Sequence, residues 1–221
     1  MLVAAALVLG AGAAAAQVPP TPAELERYSG LHAAAARNDA RGIQRLLAAG
    51  ADPETRDGNG RTALHVAAFA SHAAAVRALV EGGARANALD AQRYDIVTIA
   101  AVKDDVAMVR VALALGTSPR NVTSPYDGTA LIAAAHLGHA EVVRELIKAG
   151  APLDHVNNIG WTAVLEAVIL GDGGSRHVAT LRALVDAGAD VRITDRGGVS
   201  PLAHARARGY VEMVVILERA G

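Results

Sequence analysis

The chain contains no cysteine. That absence removes disulfide scaffolds, thiolate zinc sites, iron–sulfur clusters and cysteine nucleophiles together. Aromatic residues are nearly as scarce, with one Trp, four Tyr and one Phe among 221 residues. An ordinary globular core is anchored by such rings, so this one must be built differently. Neither sign of charge is in excess. Twenty-one Lys and Arg against 22 Asp and Glu leave a formal charge of −1, which argues against a dedicated nucleic-acid binder with a basic surface that displaces phosphate counterions. At 52% hydrophobic and 19% charged residues, the composition is not that of a disordered chain. What is abundant is alanine, with 51 copies. A core of alanine and leucine without rings requires helices in close approach. Length alone allows one or two domains.

Residues 2–16, LVAAALVLGAGAAAA, carry no charge. Fifteen residues rise about 22 Å as a helix, short of the roughly 30 Å of a bilayer core. The run ends in Ala14-Ala15-Ala16, which fits the small-residue rule for signal-peptide cleavage. Residues 1–16 therefore read as a signal peptide and 17–24 as a stiff, proline-rich linker. No Lys or Arg precedes the run, so an uncleaved anchor or a start further upstream remain alternatives. The expected location is the periplasm or the exterior, with no membrane contact in the mature form.

From residue 29 the chain repeats itself. Segments open at SGLHAAA (29–35), TALHVAA (62–68), DIVTIAA (95–101), TALIAAA (129–135), TAVLEAV (162–168) and SPLAHAR (200–206), separated by 33, 33, 34, 33 and 38 residues. Glycines at 50, 83, 116, 150, 188 and 221 close them. Thr62, Thr129, Thr162 and Ser200 are oxygen-bearing caps where helix N–H groups need acceptors. The glycines fit left-handed ends of second helices.

This pattern resembles the ankyrin repeat family over residues 25–221. Asp57-Gly58-Asn59-Gly60-Arg61-Thr62-Ala63-Leu64-His65-Val66-Ala67-Ala68 follows the family motif closely, whereas the third copy departs from it at Asp95 and Thr98. The resemblance implies an all-α solenoid of six stacked repeats, approximately 25–56, 57–89, 90–122, 123–156, 157–194 and 195–221. It implies twelve short helices with hairpin-like fingers along one edge. No single repeat buries its apolar face alone; stacking makes one continuous core.

Two insertions break the period, at Thr123–Pro125 and at Gly171–His177. Loop length costs little, so tolerated surface loops explain both, and a contact loop is the functional alternative. Eight histidines invite a metal site, yet Gly138 breaks the helix between His136 and His139 and no carboxylate completes a triad. No nucleophile elbow, zinc-protease helix or kinase signature occurs. The expectation is no enzyme, no cofactor, no metal and no small-molecule substrate.

The remaining pointers lie where the family grips protein partners, on the concave face and finger tips. Tyr94 and Trp161 precede helix caps, Tyr126 lies in a finger, and Phe69 follows Ala67-Ala68 on the exposed inner side of its first helix. Asn59, Arg61, Gln92, Lys103, His136, Asn158, Glu166, Leu170 and Arg196 continue the series. Hot spots favour Trp, Tyr and Arg. Glu166 stands on an inner helix where an apolar residue would be unremarkable; it marks either the densest recognition patch, between the fourth and fifth copies, or a carboxylate held by a local backbone or His partner. The expected function is a non-enzymatic, monomeric module that binds a protein through its groove. A secreted effector acting on a host protein, and an inhibitor or protector of a periplasmic enzyme, are the alternatives.

Overall fold

A computed structural model describes residues 17–221; the expected export segment 1–16 lies outside them. Among the described residues there are thirteen helices and a single isolated bridge, Thr123 to Gly128. Six helix pairs follow the sequence period. The first helices are α2 (Gly30–Ala36), α4 (Ala63–Phe69), α6 (Ile96–Val102), α8 (Ala130–His136), α10 (Ala163–Ile169) and α12 (Pro201–Arg208). The second helices are α3 (Ala40–Ala48), α5 (Ala73–Glu81), α7 (Val106–Ala114), α9 (Ala140–Lys148), α11 (Ser175–Asp186) and α13 (Val211–Ala220). Each helix packs on its counterpart in the next repeat. The result is two helical layers running the length of the stack.

Residue size explains the layering. Ala67, Ala68, Ala100, Ala101, Ala134, Ala135 and Ala167 are fully buried in the first helices. A methyl there lets neighbouring helices nearly touch. Larger atoms come from the second helices, through Ile43, Leu79, Val109, Leu146, Leu181, Leu184 and Leu217. Each such side chain contributes about 1.5–3 kcal/mol on burial. Among the described residues Tyr94 is the one Phe, Tyr or Trp ring among the buried core side chains.

Helix ends are satisfied from the sequence. Thr129, Thr162 and Ser200 accept from the backbone N–H three residues on, at 3.3, 3.3 and 3.2 Å. In the second repeat His65 completes the cap: its Nδ1 accepts from the Thr62 N–H at 3.1 Å, and its Nε2 lies 3.0 Å from the Ala88 carbonyl. That arrangement requires the neutral tautomer with the proton on Nε2. Burial holds the His65 pKa below its ordinary value. After the second helices the glycines at 50, 83, 116, 150 and 188 all take positive φ, between 85° and 100°.

A second regularity joins the repeats. At or just beyond the C-terminal end of α2, α4, α6, α8 and α10, a side chain from the following repeat reaches a main-chain carbonyl. His72 Nδ1 meets Ala35 O at 3.0 Å, Lys103 Nζ meets Phe69 O, and His139 Nδ1 meets Ala101 O at 2.9 Å. His177 Nε2 meets His136 O at 3.0 Å and the Tyr210 hydroxyl meets Gly171 O at 2.9 Å. Ala35 O and Ala101 O also accept a main-chain N–H, from Asn38 at 3.1 Å and Asp104 at 3.4 Å, so there the side chain adds a second bond to the same carbonyl. Gly138 suits the fourth of these couplings: its φ is 70°, and a Cβ there would lie 3.1–3.2 Å from the His177 ring, a tight contact.

Two segments differ from the sequence reading. Residues 22–24, expected inside the linker, open an additional helix, α1 (Pro22–Arg27). Thr21 and Glu24 form a capping box, with Thr21 N–H to Glu24 Oε2 at 2.7 Å and Glu24 N–H to Thr21 Oγ1 at 3.3 Å. Pro22 occupies the first helical position, where its fixed φ suits a helix. The Gly171–His177 insertion forms only a short loop, because Ser175–His177 join α11, which has 12 residues where α5, α7 and α9 have nine.

Asp95 takes the Thr cap slot in the third repeat. It is fully buried and accepts from Thr98 N–H and Asn121 Nδ2, both at 2.8 Å. Burial pushes its carboxyl above the ordinary carboxylate value, against these bonds. A raised carboxylate means that its charged form disfavours the fold at neutral pH. Asp95→Thr should keep the cap and remove the charge. Thermal melts should show a gain of about 1 kcal/mol; a lower melting temperature would count against this account.

Candidate interaction surface

The fingers that lead into α4, α6, α10 and α12 share one device, while the one before α8 is closed by the Thr123–Gly128 bridge. Asp57 Oδ1 accepts from the N–H groups of Asn59 and Arg61, both at 2.9 Å. Asp90 does the same for Gln92 and Tyr94, Asn157 for Ile159 and Trp161, and Asp195 for Gly197 and Val199. A short carboxylate or amide that caps its own loop makes a rigid turn. The fingers of the second to fifth repeats are joined in turn by main-chain bonds, from Ala91 N–H to Asn59 O at 3.2 Å, Ser124 N–H to Arg93 O at 2.9 Å and Asn158 N–H to Tyr126 O at 2.8 Å. The finger edge is thus a preorganised rail.

The expected contact residues divide into two groups. Three are withdrawn from the surface. Arg61 is 0% exposed. Its Nε donates to Asp57 Oδ2 at 2.7 Å, one terminal nitrogen to Glu24 Oε1 at 2.6 Å and the other to the Val18 carbonyl at 2.9 Å. It holds α1 against the second finger instead of meeting a partner. Tyr94 is 7% exposed and packs into the core. Glu166 is 4% exposed; its Oε1 accepts from Asn157 Nδ2 at 2.9 Å and its Oε2 lies 3.2 Å from His136 Nδ1. Of the two readings of Glu166, the geometry matches the carboxylate held by a His partner. Oε2 nevertheless lacks a well-aligned hydrogen bond.

The other positions reach solvent wholly or in part. His136, Asn158, Leu170, Lys103 and Arg196 are exposed, while Asn59, Phe69, Gln92, Tyr126 and Trp161 are partly buried. Some are also tethered. Asn59 Nδ2 donates to Glu24 Oε1 at 2.8 Å, Asn158 Nδ2 to Pro125 O at 2.9 Å, Lys103 to Phe69 O and Ser71 Oγ, and Arg196 to Asn158 O. Phe69 packs on the core. Between the third and fourth repeats lies a cavity of about 210 Å³. Its walls include Tyr94, Val102, Tyr126, Ile132, His136 and Asn157. Asn157 and Gln17, which also lines it, were not singled out from the sequence. Asn157 was findable, because it falls on the finger slot of Asp57 and Asp90.

Tyr28 precedes the first cap, as Arg61 and Tyr94 do theirs. Its hydroxyl donates to Asp57 Oδ2 at 2.6 Å. Burial, then that bond, raise the phenol well above its ordinary value. A folded pKa above the unfolded one contributes stability below about pH 10 that is lost as pH rises past it. Denaturant midpoints should therefore fall on the alkaline side. Tyr28→Phe should flatten that fall only partly, because burial also raises Tyr94. An unaltered alkaline slope would contradict the assignment.

Among the described residues no group of three His, Asp or Glu side chains is placed to hold a metal ion, and no helix is long and apolar enough to cross a membrane. A family model described as ankyrin repeats in three copies matches residues 31–120 and 97–195. The structure superimposes on the crystal structure of an ankyrin repeat domain from Acinetobacter baumannii with a TM-score of 0.81 and 42% identity, covering 86% of this chain and 97% of that one. On the ankyrin repeat domain of Bcl-3 the values are 0.78 and 26%, covering 88% and 87%. The putative ankyrin repeat protein YahD of Escherichia coli is 36% identical over 102 residues, 46% of this chain. The chain spans 51% of the length of that relative and 3% of a Caenorhabditis elegans ankyrin repeat and KH domain protein. Matched by the family model across most of its length and sharing its stacked helix pairs, the chain belongs to the ankyrin repeat family.

Proposed function

We propose that the chain is a non-enzymatic module that grips one partner protein through the groove of its third to fifth repeats, after export to the periplasm or exterior. Ankyrin repeats generally mediate protein–protein interaction. The observation that carries the reading here is the rigid rail of joined fingers beside an open cavity, with Tyr126 and Trp161 partly exposed and His136 and Leu170 exposed. Large rings on a preorganised frame lose little freedom on binding, which is what hot spots need. The titratable pair at the centre, His136 and Glu166, is engaged with itself. Export rests on the composition of residues 1–16.

Affinity capture from periplasmic extract, read by mass spectrometry, tests the reading. Tyr126→Ala with Trp161→Ala should weaken the captured partner at least about 30-fold, the size expected when one hot spot is removed, with helicity unchanged. Equal binding by the double variant would end the groove assignment. Recovery of the protein only in the cytosolic fraction would end the export assignment.

A further inference from the structure

The cavity between the third and fourth repeats is lined in part by Gln17, the first described residue of the chain's own N-terminal segment. Residues 17–21 precede α1 without regular structure. Val18 is held through its carbonyl, which accepts from Arg61 at 2.9 Å, a guanidinium that is itself fully buried. Gln17 lines the cavity together with Tyr126 and Ile132. Arg61 belongs to the finger of the second repeat, while the cavity walls come from the third and fourth. The segment therefore crosses the groove over at least one repeat boundary, as an extended peptide ligand would.

The fit at Gln17 is imperfect. Its Nε2 is buried and makes no hydrogen bond. A buried donor left unsatisfied carries a cost that an apolar side chain of similar size would not. Val102, Ile132 and Leu137 line the same cavity and offer it apolar surface. The backbone of the segment is well anchored, but its leading side chain is mismatched to its place. Such an occupant stays bound yet yields to a better one.

We propose that Gln17–Thr21 is an intrachain strap that occupies the groove as a pseudo-ligand, displaced when an extended partner segment inserts an apolar side chain into this cavity. Displacement by a partner rests on the interaction reading above; occupancy by the strap does not.

Isotope-labelled full-length protein tests occupancy directly. Nuclear Overhauser contacts are expected between the Gln17 side-chain amide and both the Ile132 methyls and the Tyr126 ring. A peptide Leu-Val-Pro-Pro-Thr, matching the strap with Leu in place of Gln17, serves as the competitor, and its binding is followed through the Ile132 methyl shift. Gln17→Leu should tighten the strap and weaken this peptide about tenfold, while Gln17→Glu, which places a charge in the apolar cavity, should loosen the strap and strengthen it about tenfold. Absence of the Gln17 contacts, or one peptide affinity for all three chains, would overturn the proposal. Because this arm needs no partner protein, a failed capture leaves the strap intact, and a missing strap leaves the capture result untouched.

Discussion

Replacing Arg61 with alanine should lower stability by about 3–5 kcal/mol, the usual consequence of removing one member of a buried ion pair. The side chain is 0% exposed and makes three hydrogen bonds to Asp57, Glu24 and Val18. Without it, two carboxylates face each other across a space that water enters poorly. Asp57 is the more sensitive of the two. Burial drives its carboxyl up, yet the bonds from Tyr28 and Arg61 outweigh that and hold it below the ordinary value. A depressed carboxylate contributes stability above about pH 4 and loses it as pH falls further. The alanine variant should therefore show a shallower acid limb as well as a lower midpoint. The loss should be concentrated at one end. Hydrogen exchange in α1 and the second finger should accelerate far more than in α8 or α10. Protection lost evenly along the stack would show that Arg61 does not act as a local tie.

The second large effect is expected at Leu146. It is fully buried in α9, between α7 and α11. Leu146→Ala should cost about 2–5 kcal/mol through lost burial and the cavity left behind. In a stack each repeat contacts only its neighbours, so weakening a central one weakens two interfaces. Urea unfolding should lose its single sharp transition. The matched change at the first repeat provides the control, since Leu46 occupies the same slot but is only partly buried. Leu46→Ala should cost less than half as much. Equal costs would mean that position in the stack does not matter.

The period of 33 made the helix pairs, caps and closing glycines legible, because each repeats a local chemistry along the stack. What it could not supply was the fate of residues that share a slot but meet different neighbours. Tyr28, Arg61, Tyr94 and Trp161 all precede a cap. Arg61 turns inward onto Asp57 of its own finger and onto Glu24 of α1 and Val18, 37 and 43 residues away, and these last two sit outside the repeat pattern. The helix itself had a local signature in Thr21-Pro22-Ala23-Glu24, which the adjacent prolines obscured. Glu166 stands out in the sequence, but its partners Asn157 and His136 come from two different elements. Contact sites in such a stack are set by pairwise neighbours, which a period averages away.

The couplings between repeats have a consequence for how such a chain can change. In each one the acceptor is a main-chain carbonyl, and the donors are His72, Lys103, His139, His177 and Tyr210 in turn. A main-chain acceptor is present whatever side chain a repeat carries, and three quite different donor groups meet it equally well. Joining two repeats therefore demands no matched pair of side chains. A repeat that is copied, removed or exchanged arrives with its connection to either neighbour already in place, so the length of the stack is free to drift while the groove it builds is being altered one residue at a time.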